Sequence, residues 1–109
     1  MTDFIQITVT VGNNEEAQEI SRRLVEDRLA ACVQISGPIN SRYWWKGVIE
    51  TAQEWVCTIK TKAALYSSVE KTVRSIHSYD VPEIISLPIL SGSGDYMEWL
   101  GAETLDVVK

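Results

Sequence analysis

CVQISGPINSRYWWKGVIETAQEWVCTIKTK, residues 32–62, reads as two long strands folded back on each other at Lys46-Gly47. Val33, Ile35 and Ile39 lead in, and Val48, Ile49, Trp55, Val56 and Ile59 lead out. Gly47 supplies the positive φ that a tight hairpin turn requires. Strands usually run to about 5–6 residues, and each arm here reaches roughly twice that. A break is expected at Gly37-Pro38. A hairpin of this length should project beyond its own domain. Tyr43, Trp44 and Trp45 stand at its tip. Neighbouring residues on a strand point to opposite faces. At most one of the two tryptophans can therefore use this domain's own core, and the other is expected on an association surface.

The rest of the chain sets limits on what that hairpin belongs to. Its 109 residues fit one domain, 1–109. A domain of this size buries roughly two-thirds of its unfolded surface and needs no staple. The net charge of -5 argues against nucleic acid, whose phosphates need a basic face, and against an anionic membrane. MTDFIQITVTVG has neither the basic region nor the cleavage site of a signal peptide. No apolar run approaches the roughly 20 residues of a membrane span. A cytoplasmic location is the expectation. Cys32 and Cys57 are the two cysteines. With the turn at Lys46-Gly47, Cys57 faces a residue near Ser36, so the thiols are out of register for a disulfide and are expected to be reduced.

Ile5, Ile7, Val9 and Val11 alternate with Gln6, Thr8 and Thr10, the period of a strand with one apolar face. Asn13 or Asn14 can cap a helix whose stripe is Ala17, Ile20 and Leu24 and which runs to about Arg28. After the hairpin, Thr61 is a candidate cap for a second helix with the stripe Leu65, Val69, Val73 and Ile76. Glu83 to Leu90 reads as a strand with Ile85, Leu87 and Ile89 on one face, and Pro88 marks an edge or a bulge. Asp95 can cap a last helix, with Glu98 completing a capping box and Tyr96, Trp99 and Leu100 on its apolar side. Residues from Asp106 onward read as a frayed tail. The order β-α-β-β-α-β plus a C-terminal helix is an α+β, ferredoxin-like pattern.

RLAAC at 28–32, YWWKGxIE at 43–50, IKT at 59–61 and HSYDVPEI at 77–84 resemble the CutA family of divalent-cation tolerance proteins in order and spacing. With Tyr96 and Trp99, the resemblance spans nearly the whole chain. It implies a ferredoxin-like fold and a tight, PII-like homotrimer in which neighbouring hairpins pair edge to edge. It also implies a part in the response to metal ions and binding of copper, with ligands that map onto His77 and Cys32. Family members with a fuller copper site carry a further cysteine and a second, adjacent histidine. Val9 and Ile76 stand at those places here, so weakly bound Cu(II) is the expectation.

From the residues themselves, His77-x-Tyr79-x-x-Pro82-Glu83 sets an imidazole, a phenol and a carboxylate around one turn. His77, Cys32 and Glu83 are the candidate metal donors, with His77 as the indispensable one. His77 can equally be a helix-end residue, and Cys32 a small buried hydrophobe. Three readings stand side by side. The first is a trimeric metal-binding protein, with Tyr43, Trp44 and Trp45 at the trimer interface. The second is a PII-like signalling or small-molecule-binding trimer, with Trp45, Glu50, Lys60, Tyr79 and Glu83 lining clefts between subunits. The third, the minority reading, is an enzyme pairing Cys32 as nucleophile with His77 as base. Glu54 and the other strand charges read as surface.

Overall fold

A computed structural model describes residues 3–106. Alternation along Phe4–Val11 forms β1, whose odd residues Ile5, Ile7, Val9 and Val11 are buried. The Asn13 side chain accepts the Glu16 N–H at 2.8 Å and starts α1, Asn14–Glu26. The helix stops short of Arg28, which adopts a left-handed φ of 57°. β2, Cys32–Trp45, and β3, Val48–Lys62, form the long hairpin. Lys46 and Gly47 turn it with φ of 49° and 80°. A 3₁₀ turn, Ala63–Leu65, leads into α2, Tyr66–Ile76. β4, Ile84–Pro88, and α3, Gly94–Ala102, complete the chain. The elements follow the expected β-α-β-β-α-β order with a C-terminal helix. The four strands make one sheet in the order β2-β3-β1-β4, with all neighbours antiparallel. Among the described residues no helix is long and apolar enough to cross a membrane.

The core lies between one sheet face and the two longer helices. Ile7, Val9, Cys57 and Ile59 meet Ala17, Ile20, Leu24, Val69 and Val73, all fully buried. α3 lies over one end of the opposite face. There the Tyr96 hydroxyl is 4.0 Å from the Cys32 Sγ, and Lys62 Nζ donates to the carbonyls of Thr104 and Leu105. Lys62 also pairs with Asp106, and the rest of the expected tail lies outside the described residues.

Several local expectations need correction. Thr61 does not cap α2. It lies in β3 with its hydroxyl donating to the Leu29 carbonyl, and α2 has no side-chain cap. Asp95 does not cap α3. Ser93 occupies the cap position, and Asp95 lies in the first turn, accepting the Tyr96 N–H. Ile85 and Leu87 do share a face, but they pair with Thr8 and Gln6 and are exposed on the side away from α1 and α2. The cysteines, by contrast, are out of register as expected: Cys57 pairs with Ile35 and Cys32 with Lys60, and both thiols are free.

The tip projects beyond the helices, as the length of the hairpin predicts. Register between β2 and β3 shifts between Ser36 and Ile39, next to a cis Gly37-Pro38 bond. Beyond that break the hairpin leaves the helices behind, and the molecule extends 44 × 25 × 25 Å. Neither tryptophan enters the core: Trp44 is 71% and Trp45 40% exposed.

Leu100 is the fully buried anchor of α3, so Leu100→Ala should lower the unfolding free energy in urea by about 2–5 kcal/mol. Lys71→Ala, on the exposed side of α2, should change it by no more than about 0.5 kcal/mol. Equal, small effects at both positions would mean that α3 is not part of the folded unit.

Candidate functional site

Where the hairpin leaves the core, a cleft of about 700 Å³ opens between its outer half and the loop after α2. One wall is Ser41 to Trp45, the other is Tyr79 to Val81 with Glu83, and Thr10 and Glu54 also line it. Glu54 sits on β3 and is only 6% exposed. Tyr79 reaches over the end of β1 and donates its hydroxyl to Glu54 Oε2 at 3.1 Å. Gly12 leaves room for that reach, because a Cβ there would stand 2.8 Å from the Tyr79 hydroxyl oxygen. Burial, and then the charge of Glu54, push the Tyr79 phenol up to about 12. The phenol therefore stays a neutral donor across the physiological range.

His77 fixes the loop. It is the residue that ends α2, and its side chain is fully buried. Nδ1 accepts the Tyr79 N–H at 3.1 Å, which leaves the ring proton on Nε2, 2.6 Å from the Thr10 carbonyl it bonds. Glu16, at the start of α1, accepts from both the Ser78 N–H and the Ser78 hydroxyl. Its carboxylate lies 3.8 Å from His77 Nδ1. Both ring nitrogens are thus occupied by the fold.

The structure does not bring the three candidate metal donors together within the chain. His77 lies beside Thr10, whereas Cys32 is level with Lys60 and hence with Gln6 on β1. Gln6 and Thr10 are four residues, or about 13 Å, apart along the strand. Glu83 is exposed at the cleft mouth, on the loop that His77 holds from behind. Among the described residues no three His, Cys, Asp or Glu side chains form a metal-binding group. Cys32 and His77 are equally out of reach as a nucleophile–base pair. Burial pushes the other thiol, Cys57, up to about 11, which leaves it unreactive.

Of the expected cleft residues, Trp45, Tyr79 and Glu83 share this cleft and Glu50 and Lys60 do not. Glu50 is exposed opposite Tyr43, and Lys60 Nζ is bonded to Gln34 Oε1. Sequence reasoning missed Thr10, Ser41, Arg42, Glu54, Asp80 and Val81. Only the Tyr-Asp-Val run beside His77 signalled part of this set.

The same segments carry the relationship to known proteins. Residues 5–103 match the model of the CutA1 divalent ion tolerance protein family. The chain belongs to that family. It is 41% identical over 100 residues to "Protein CutA 1, chloroplastic" of Oryza sativa subsp. japonica, covering 92% of this chain and 56% of that one. It is 39% identical over 98 residues to the divalent-cation tolerance protein CutA of Thermus thermophilus, covering 90% and 95%. The crystal structure of CutA1 from Oryza sativa superposes with a TM-score of 0.94 at 39% identity, covering 97% of each chain. The chain spans a little over half the length of the plant relatives and nearly all of the Thermus one.

The Tyr79–Glu54 bond has a pH signature. A phenol raised from 10.0 to about 12 in the folded state supports the fold fully below its unfolded value, and that support is lost as pH rises through about 12. Tyr79→Phe should flatten the fall of the unfolding midpoint in alkali relative to the parent. An unchanged alkaline profile would mean that the phenol titrates freely.

Proposed function

We propose that the chain acts in divalent-cation tolerance as a PII-like homotrimer that binds divalent copper weakly. The observation that carries the assembly is apolar surface that the subunit itself does not cover. Trp44, Val48 and Ile49 on the hairpin, and Ile85 and Leu87 on the edge strand β4, are each half exposed or more. Long unpaired strand edges with apolar side chains invite pairing with another chain. A heterologous contact that closes on itself after three copies satisfies them without leaving a free edge. Tyr43, Trp44 and Trp45 form the centre of that interface.

His77, Cys32 and Glu83 do not fit a copper site within one chain, so copper here is a weakly held cargo. Partly buried Cys32 and the carboxylates at the cleft mouth are the donors that retain some access. Copper should bind more tightly than zinc, and binding should weaken as pH falls and the donors take up protons. The cleft favours a second reading, a trimer that binds a small molecule at its subunit boundaries. Its volume lies within the usual range of ligand pockets, about 300–1,000 Å³.

Light scattering should give three times the 12.2 kDa chain mass, stable to dilution. A stable monomer would remove the basis of the proposal. Trp44→Glu should dissociate the trimer while leaving helical circular dichroism intact. Copper and zinc titrations of parent and His77→Ala address the metal. His77→Ala should cost stability, about 1–3 kcal/mol for each buried partner left unpaired, with copper affinity unchanged. Loss of copper binding from a folded His77→Ala would reinstate the imidazole as a ligand.

A further inference from the structure

We infer that the cleft takes a small organic cation, a primary ammonium or a guanidinium, with Glu54 as the carboxylate that anchors it. This rests on the small-molecule reading of the cleft and names its ligand class. Glu54 is more than nine-tenths buried, yet lines the cleft. Oε2 accepts from Tyr79, and Oε1 has no hydrogen-bond partner among the described residues. A carboxylate accepts several bonds, and one neutral phenol leaves most of that capacity unused. No fully buried side-chain oxygen lacks a partner among the described residues, so the unpartnered Oε1 keeps some access, and Glu54 lines the cleft.

The surrounding side chains select the sign and the kind of charge. Asp80 and Glu83 stand on the loop wall, and Arg42 is the one basic residue of the lining. The balance is acidic, which disfavours phosphate or carboxylate ligands. A hard divalent ion would need six or more oxygens around it, and no cluster of three acidic or ligating side chains converges among the described residues. An organic cation needs less: one carboxylate for its N–H groups and an aromatic face for its diffuse charge. Tyr43 and Trp45, on the same side of the hairpin as Glu54, supply that face on the opposite wall. The Trp45 ring already has a cation near it, Lys46 Nζ at 5.6 Å from the centroid. The cleft has space for a ligand of several carbons in addition to its charged head.

The test is calorimetry and tryptophan fluorescence on the full chain in EDTA, titrated with agmatine and spermidine, and separately with inorganic phosphate and ATP. The amines should bind and shift the indole emission. Glu54→Gln should weaken amine binding about tenfold or more, the size expected for one charged hydrogen bond. This variant keeps an oxygen to accept from Tyr79, and its melting midpoint checks the fold. Glu83→Gln, at the exposed mouth, serves if Glu54→Gln does not fold, and should also weaken the amines. Amine binding unchanged by either substitution would overturn the inference. Binding of ATP or phosphate without the amines would overturn it too, while leaving the small-molecule reading in place. No binding of any probe at millimolar concentration would remove both.

Discussion

Backbone pairing between β2 and β3 runs further than the core this chain can supply. Near the base, Val33 pairs with Ile59 and Ile35 with Cys57, and these residues lie beneath α1 and α2. After the shift at Ser36 to Ile39, pairing continues to Trp45 and Val48 with no helix above it. The ladder pairs the facing edges of the two strands but leaves the outer edge of β2, and that of β3 beyond Trp55, open, and it does nothing for the side chains of the outer half. Their apolar area has to find cover elsewhere. The cleft is a second consequence of the same mismatch. The loop after α2 ends beside the point where the hairpin leaves the core, and the space between the two stays open.

Features that depend on neighbours in sequence were legible. Alternation along β1, the Asn13 cap, the Lys46-Gly47 turn and the break at Gly37-Pro38 are each decided within a few residues. Features that depend on what lies above a strand were not. Alternation shows that Ile85 and Leu87 share a face, but not that the helices cover the other one. Parity allowed the core at most one of Trp44 and Trp45, but could not show that it takes neither. Glu54 read as surface because a charge in an alternating strand usually is. Its cover comes from Tyr79, 25 residues later in the chain, and from the space that Gly12 leaves. Thr61 and Asp95 had the chemistry of caps, but strand pairing placed Thr61 inside β3 and the turn placed Asp95 two residues past the cap, within the first turn of α3.

His77 illustrates how a residue type can suggest chemistry that its environment has already used. Each ring nitrogen makes a hydrogen bond to backbone, one to Thr10 and one to Tyr79. Such bonds are worth about 0.5–1.5 kcal/mol each when made, and breaking them leaves buried partners that cost more. A metal bound at this ring would have to repay that loss and reopen the loop. The ring is better placed to hold Tyr79 over Glu54 than to bind an ion itself. The helix-end reading of the sequence comes closer to its role than the ligand reading does.

Glu54 carries the opposite lesson. Removing a carboxylate from water costs several kcal/mol unless charge and hydrogen bonds replace the lost solvent. Here one phenol does so directly, and the effect is mutual, since the carboxylate helps keep that phenol protonated up to about 12. No basic side chain forms an ion pair with Glu54 among the described residues, although Arg42 lines the same cleft. A hydrophobic side chain at this position would pack at lower cost. Glu54 also lines the cleft, so a partner from outside the chain can reach the carboxylate. Loop anchoring by His77 and Glu16 then gains a purpose, because it holds the Tyr79 donor at one oxygen of a carboxylate that lines the cleft.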